Sequence, residues 1–110
     1  MKTLHLILKK KWYDMILSGE KLEEYRDCTP YYDSRFIDAK LQTTYDAIGD
    51  EIAWKEYDTI TFSNGYSKTR PQFEIEFKGF EIGIPTHPEW GGVGIEPLFI
   101  LKLGKIIKRR

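Results

Sequence analysis

The sequence lacks the features of a membrane protein, a disulfide-rich protein or a thiolate metal site. Its 110 residues include one cysteine, Cys28, which excludes an internal disulfide and any site built from several thiolates. A lone thiol is typical of a reducing cytoplasm. No hydrophobic run approaches the ~20 residues of a membrane span, and the apolar stretch after Met1 is too short for a signal peptide. We expect a cytoplasmic protein that needs neither metal nor cofactor.

An excess of charge of one sign is also missing, since 17 Lys and Arg balance 17 Asp and Glu. Bulk attraction to nucleic acid or anionic lipid is therefore not expected, and any anion site must be local. Aromatic residues are abundant instead, at 15% of the chain. Aromatic rings build cores, and they also make platforms on which flat ligands stack. The length predicts that residues 1–110 form a single domain.

The hydrophobic pattern alternates between strand and helix periods. Alternation of apolar and polar residues predicts strands at 3–9, 21–27, 57–63 and 73–80 and a last strand around 99–103. A helical period predicts a helix over 10–18, with Gly19 in the position of a glycine that ends a helix. A second helix is expected over 31–41, followed by a loop with a short helical turn over 43–57. These elements predict a small α+β fold with a curled or closed sheet.

Three charged residues fall together on the second predicted strand. Lys21 stands at its start, and Glu24 and Arg26 project from one face. Leu22 on the same face predicts that this face is partly buried, where charges persist only when they are paired. A guanidinium can hold a carboxylate, a phosphate or a base edge through two hydrogen bonds. Glu24 and Arg26 are therefore either a structural ion pair or part of a ligand site.

Other candidates lie where predicted elements begin or end. Lys11 and the two lysines before it are either a solvated basic corner or a phosphate-facing patch, which the basic C-terminal residues would extend. Asn64 and Gly65 predict a turn, and Tyr66 after it is either a stacking surface or a lid. Trp90, in a loop rich in glycine and proline, either plugs one end of the core or stacks on a base.

The order strand, helix and Gly-x-Lys-x-x-Glu-x-Arg resembles the signature of the ASCH domain family in the PUA-like superfamily. Gly19, Lys21, Glu24 and Arg26 carry the motif in this chain. The Asn-Gly-Tyr turn, the Pro-Glu-Trp-Gly loop and the final strand resemble a subgroup of small ASCH-like proteins of Bacteroidetes and their phages. The resemblance implies a β-barrel of about five or six strands with two or three helices, and a cleft between barrel and helices.

The resemblance also implies that the cleft binds RNA, a nucleotide or a nucleoside. Lys21 and Arg26 would hold a phosphate or a base edge, and Glu24 would orient them or accept from an exocyclic amine. The expected site includes Lys21, Glu24, Arg26, Lys11, Asn64, Tyr66 and Trp90. The chain is expected to be a monomer or a weak homodimer that pairs through an exposed strand edge.

Two alternatives stay open. Some ASCH proteins resemble amidohydrolases that act on an acylated cytidine such as N4-acetylcytidine, an activity associated with a lysine, a threonine three residues later and a distant glutamate. Lys21 matches the lysine, but Glu24 stands in the place of the threonine, which removes the hydroxyl nucleophile. Such an enzyme would need Glu24 as the general base for a water, with Lys21 or Arg26 stabilising the oxyanion. The other alternative is a non-catalytic protein-interaction module in which the charges form only an ion pair.

Overall fold

A computed structural model describes residues 1–48, 51–65 and 69–109. In chain order the elements are β1 (Thr3–Leu8), α1 (Lys10–Leu17), β2 (Glu23–Asp27), α2 (Pro30–Phe36), α3 (Ala39–Ile48), β3 (Thr59–Asn64), β4 (Gln72–Gly83) and β5 (Leu98–Arg109). One 3-10 turn, Pro88–Trp90, lies in the loop between β4 and β5. The expected α+β fold is confirmed: within these ranges, one sheet of five strands curls into a half-barrel and is accompanied by three helices.

The strands follow the order β1-β3-β4-β5-β2 in the sheet, so β1 and β2 are its two edges. β1 runs parallel to β3, with Leu4 opposite Ile60, and the remaining neighbours are antiparallel. The register between β4 and β5 shifts repeatedly between Glu74 and Gly79. Such bulges increase the local twist and bend long strands, which is how the twelve-residue β4 and β5 curl the sheet.

The two edge strands approach each other through a side chain and not through a backbone ladder. Nη2 of Arg26 on β2 donates to the carbonyl of Ile7 on β1 at 2.9 Å. Nη2 of Arg35 on α2 donates to the carbonyl of His5 on β1 at 2.8 Å. Both carbonyls lie on an edge strand, whose backbone groups need partners from outside the sheet. An arginine therefore bridges the gap between β1 and β2, and a cleft remains there.

The alternating apolar residues form the core that the sequence predicts. The buried set includes Leu4, Leu6 and Leu8 of β1, Ile60 and Phe62 of β3, Phe73 and Ile75 of β4, and Phe99, Leu101 and Leu103 of β5. The helices cover this face of the sheet with Tyr13 and Ile16 of α1 and Phe36 of α2. Period-two burial in β1 and in the first half of β4, with helical burial in α1, confirms the predictions for these segments, whereas residues 59–63 of β3 are buried on both faces.

The prediction of one helix over 31–41 is wrong, because two helices share this segment. Ile37 is extended (φ −112°, ψ 133°) and forms an antiparallel bridge with Trp54, which interrupts the helical path. A new helix begins after Asp38, whose carboxylate accepts a hydrogen bond from the Leu41 N–H at 3.0 Å, as an N-cap aspartate does. The predicted loop over 43–57 is also wrong at its start, since α3 continues to Ile48.

The prediction that Leu22 shares a buried face with Glu24 and Arg26 is wrong. Leu22 is 52% exposed, and β2 begins only at Glu23. The Leu22 carbonyl accepts from the Leu103 N–H at 3.1 Å, so the backbone has already joined β5 while the Leu22 side chain points outward. Strict alternation fails here because the chain is still leaving the turn after α1, and Lys21 takes the buried position.

Candidate functional site

Lys21 is buried because of the way α1 ends. The helix closes in a Schellman motif: the Gly19 N–H donates to the Ile16 carbonyl at 3.0 Å, and the Glu20 N–H donates to the Met15 carbonyl at 3.0 Å. Gly19 adopts a φ of +84°, a conformation that strains any residue with a side chain. The Lys21 N–H also donates to the Met15 carbonyl. The chain thus turns inward directly after the helix and leaves only 1% of the Lys21 side chain exposed.

Lys21, Glu24 and Arg26 form a buried charge triad. Nζ of Lys21 lies 3.3 Å from Oε1 of Glu24, and Nη2 of Arg26 lies 2.7 Å from Oε2 of the same carboxylate. Nε of Arg26 also donates to Oε2, at 2.8 Å. The Arg26 side chain is 14% exposed, more than that of either partner. Both carboxylate oxygens of Glu24 therefore contact a cation, and the guanidinium is the most accessible group of the triad.

The pKa values of the two cations of the triad shift in opposite directions. Loss of hydration lowers the pKa of Lys21, and the Glu24 carboxylate compensates only in part. Burial acts in the same direction on Arg26, but the Glu24 charge and the hydrogen bond with Tyr32 outweigh it, so the pKa of Arg26 is raised. Arg26 is consequently the permanent cation of the triad, whereas Lys21 is the member that gives up its proton more readily.

Three elements fix the Arg26 guanidinium. Its Nη1 donates to the Tyr32 hydroxyl at 2.7 Å, in addition to the bonds with Glu24 on β2 and with β1. Tyr32 is placed by the start of α2, where the Thr29 hydroxyl accepts from the Tyr32 N–H at 3.4 Å. Pro30 follows in the first turn, where its missing N–H costs nothing. The Thr-Pro start of the helix thus sets the position of a tyrosine that orients the arginine.

The loop between β4 and β5 is held against the charge triad. Nζ of Lys21 donates to the Trp90 carbonyl at 2.7 Å. Close packing adds to this contact, because a Cβ on Gly92 would lie 2.9 Å from Cε2 of Tyr25 on β2. The Trp90 ring stacks on His87, with centroids 3.9 Å apart and planes at 17°. The backbone of this loop is therefore anchored, and the indole of Trp90 has one face covered.

A cleft with a volume of about 620 Å³ opens at the charge triad, and we call it the main cleft. It is lined by Ile7, Leu8, Lys9, Trp12, Glu24, Tyr25, Arg26, Asp27, Tyr32, Asn64, Gly65, Trp90 and Gly91. These residues come from the ends of β1 and β3, from β2, from α1 and α2, and from the loop between β4 and β5. The volume lies within the ~300–1,000 Å³ typical of small-molecule sites. Several aromatic rings and one fixed guanidinium therefore face the same space.

Most of the predicted site residues meet at the main cleft. Glu24, Arg26, Asn64 and Trp90 line it. Lys21 lies behind Glu24 and is not itself in the lining, but it contacts the Glu24 carboxylate and the Trp90 carbonyl and so positions the cleft wall. Trp90 is half-buried, lines the cleft and does not belong to the hydrophobic core.

Lys11, like Lys21, does not line the main cleft. Lys11 is exposed, and its Nζ lies 4.7 Å from the centroid of the Trp12 ring. Lys9 lines the cleft in its place. Lys9 is the extended residue before α1, and the backbone turns between it and Lys11, so the two side chains leave in different directions. Tyr66 lies outside the residues that the structure describes.

Three aromatic residues of the main cleft, Trp12, Tyr25 and Tyr32, escape prediction from the sequence. Trp12 and Tyr32 occupy apolar faces of helices in the hydrophobic pattern, which assigns them to the core. Both do pack against the core, and both also line the main cleft. An aromatic ring with a polar end can contact the apolar core on one side and solvent on the other. The hydrophobic periodicity of the sequence therefore cannot separate a core role from a cleft role. The Thr29–Pro30 helix start is the one signal that fixes where Tyr32 lies.

Known proteins offer no guide to this site. Comparison of the chain with protein-family models, with curated proteins and with solved structures gives no match. Within residues 1–48, 51–65 and 69–109, no three His, Cys, Asp or Glu side chains are grouped so that they could hold a metal ion. No helix of the same ranges has the length and apolar character to cross a bilayer. The function must be argued from the geometry of the main cleft.

Proposed function

We propose that the chain is an ASCH-like domain of the PUA-like superfamily and that its main cleft binds a nucleotide or a short single-stranded RNA. The observation that carries this proposal is the immobilised guanidinium of Arg26 in a cleft with aromatic rings. A guanidinium has five N–H groups, and its contacts with Glu24, Tyr32 and Ile7 within the described residues use four of them. The remaining Nη1 hydrogen is available to a phosphate or a base edge.

The energetics of the charge triad support a binding role over a purely structural one. Removing charged groups from water costs several kcal/mol each, and buried ion pairs often stabilise a fold no better than apolar residues of similar volume. The Lys21–Glu24–Arg26 arrangement is therefore a costly way to fill a core. It is an effective way to hold one guanidinium at a fixed place. Oε2 of Glu24 pairs with Arg26 and orients it, and Oε1 of the same carboxylate pairs with Lys21.

The remaining lining supplies what a nucleotide needs. Trp12, Tyr32 and Trp90 offer rings, and stacking of a base on an aromatic side chain contributes about 1–3 kcal/mol. Asn64 brings an amide, which both donates to and accepts from a base edge. Lys9 is exposed at the cleft and adds a mobile cation. The balanced net charge agrees with a local site for one or a few nucleotides, and it opposes tight, sequence-blind binding to long RNA.

The same geometry favours binding over hydrolysis of an acylated cytidine by Glu24. A general base must accept a proton from the attacking water. Both oxygens of Glu24 are already engaged, one by Lys21 and one by Arg26. Proton transfer to Glu24 would break an ion pair and leave a buried cation without its partner. We therefore treat hydrolysis as an outcome to be tested beside binding.

The test is a titration of isotope-labelled protein with the four nucleoside 5′-monophosphates and with a single-stranded hexaribonucleotide, followed by NMR. Binding should shift the amide signals of β2, of Asn64 and of the Trp90 loop. N4-acetylcytidine is added to a parallel sample, which is analysed for released cytidine. Chemical shifts that stay constant in the main cleft with every compound would contradict the proposal. Release of cytidine would show catalysis in addition to binding.

Trp90→Ala is the most direct variant. Lys21 contacts the backbone carbonyl of Trp90, so the substitution removes the ring and keeps the contact that anchors the loop. Loss of stacking should weaken nucleotide affinity by about 5- to 100-fold. Lys9→Ala should weaken affinity for a 5′-monophosphate by about 2- to 5-fold, as expected for an exposed cation. Lys10→Ala is the matched control, because it removes the same charge outside the main cleft.

A further inference from the structure

A smaller cavity adjoins the main cleft at Arg26, and we call it the side cavity. Its volume is about 140 Å³, and it shares Ile7, Arg26 and Tyr32 with the main cleft. The other residues of its lining are His5, Leu6, Tyr31 and Arg35. The shared residues make the two cavities neighbouring compartments of one surface along the free edge of β1, with Arg26 in both linings.

Arg35 repeats the arrangement of Arg26 one step along β1. Its Nη2 donates to the His5 carbonyl at 2.8 Å, as Nη2 of Arg26 donates to the Ile7 carbonyl. Its Nη1 donates to the Tyr31 hydroxyl at 2.8 Å, as Nη1 of Arg26 donates to the next tyrosine in the chain. Two arginines from different elements, each bonded to a tyrosine hydroxyl, therefore donate to alternate carbonyls of one edge strand.

The spacing of the two guanidinium groups suits a phosphate. Carbonyls two residues apart on a strand lie about 6.6 Å from each other. The two Nη2 atoms that donate to them are therefore separated by about the same distance. Both hydrogens of Arg26 Nη2 are taken by Glu24 and Ile7, so the contact from Arg26 comes from the remaining hydrogen of its Nη1. Together with an N–H of Arg35, this hydrogen can reach different oxygens of one phosphate through N–H···O contacts of about 2.9 Å.

We propose that the side cavity is a phosphodiester subsite, so that the ligand of the main cleft is an oligonucleotide of at least two residues. This inference rests on the proposed function of the main cleft. One base occupies the main cleft, the following phosphodiester lies between Arg26 and Arg35, and the next base stacks on Tyr31. The Tyr31 ring is 59% exposed, and it stands at 87° to the Tyr32 ring with centroids 4.9 Å apart. The tyrosine pair thus offers a second ring beyond the phosphate.

The size of the side cavity agrees with this assignment. A volume of about 140 Å³ is less than half of the ~300 Å³ at which small-molecule sites begin, so the cavity takes a fragment of a ligand and not a whole nucleotide. The fragment must be continuous with a group in the main cleft, because Arg26 contacts both spaces. A phosphodiester is the part of a nucleic acid that is small, anionic and connected on both sides.

The experiment compares a nucleoside with the dinucleoside monophosphate of the same base, which adds one phosphodiester and one base. We expect the dinucleoside monophosphate to bind the wild-type protein at least tenfold more tightly. Arg35→Ala should remove most of that gain and leave nucleoside affinity within twofold, which also reports that the variant is folded. Lys78→Ala removes one exposed charge outside both cavities and should change neither affinity.

The outcomes separate this inference from the proposed function. If the nucleoside, the mononucleotides and the hexaribonucleotide all leave the main cleft unchanged, the proposed function fails. If the nucleoside shifts the main-cleft signals but the dinucleoside monophosphate binds no more tightly, only the second subsite is refuted. A tetraglutamate peptide that binds as tightly, with the same loss in Arg35→Ala, would also refute it. Tyr31→Phe keeps the ring but removes the hydroxyl that orients Arg35, and it should lower dinucleoside monophosphate affinity about threefold.

Discussion

Glu24→Gln is the sharpest perturbation of this protein, because it removes one negative charge from between two buried cations and hardly changes the volume. Oε1 lies 3.3 Å from Lys21 and Oε2 lies 2.7 Å from Arg26. With an effective dielectric constant of about 20, Coulomb's law gives attractions of about 5 and about 6 kcal/mol at these distances. The desolvation that the triad already bears offsets most of this energy in the folded protein. The substitution removes the attraction and keeps the desolvation of both cations.

The expected loss is about 3–5 kcal/mol in the free energy of unfolding, as found when one partner of a buried ion pair is removed. A chain of this length is stable by about 5–15 kcal/mol, so the variant should lose a large part of its stability. At about 4 °C or more per kcal/mol, the melting temperature should fall by at least about 12 °C. Urea unfolding followed by circular dichroism at pH 7 measures the free energy, and scanning calorimetry measures the melting temperature.

Two controls define the result. Glu20→Gln removes the same charge from an exposed position four residues earlier and should change stability by less than about 0.5 kcal/mol. Glu24→Gln combined with Lys21→Met removes the buried ammonium as well and should recover at least about 1 kcal/mol relative to Glu24→Gln alone. A Glu24→Gln variant within about 1 kcal/mol of wild type would refute the interdependence of the charge triad.

Three further predictions concern the surroundings of the site. Gly92→Ala should lower the free energy of unfolding in urea by about 1–3 kcal/mol, because the added Cβ would meet Pro85 at 2.6 Å and the Tyr25 ring at 2.9 Å. It should also alter the tryptophan emission spectrum, and an unchanged spectrum would contradict the close packing of this loop. Burial, together with the hydrogen bond to Glu23, raises the pKa of Tyr25 above its ordinary 10.0, so the folded state keeps a proton that the unfolded chain releases. The free energy of unfolding should therefore fall as the pH rises above about 10, and Tyr25→Phe should flatten that decline in urea titrations between about pH 9 and 11. Phe36→Ala should lower the free energy of unfolding by about 3–5 kcal/mol, since Phe36 is 0% exposed; a loss below about 1 kcal/mol would show that the core closes over the gap.

The strands and their inner faces could be predicted from the sequence because burial in a sheet follows a period of two. The break in the predicted helix over 31–41 could not be predicted, because the extended conformation of Ile37 does not interrupt the helical spacing of apolar residues in the sequence. The break depends on Trp54, a partner seventeen positions later in the chain that pairs with Ile37. The prediction that Leu22 is buried failed for a related reason: Leu22 directly follows the turn after α1, where the alternation of a strand does not yet apply.

The sequence by itself determined the strand period, the glycine that ends α1 and the grouping of Lys21, Glu24 and Arg26 in one charged cluster, since these depend on neighbours within a few positions. Only the tertiary structure decided what surrounds them. The Lys21 ammonium meets a carbonyl 69 positions away, and Arg26 of one edge strand meets Ile7 of the other, 19 positions earlier. Such contacts arise when the sheet curls and brings its edges together, and no local period of the sequence encodes that approach. The main cleft is the space that this incomplete closure leaves.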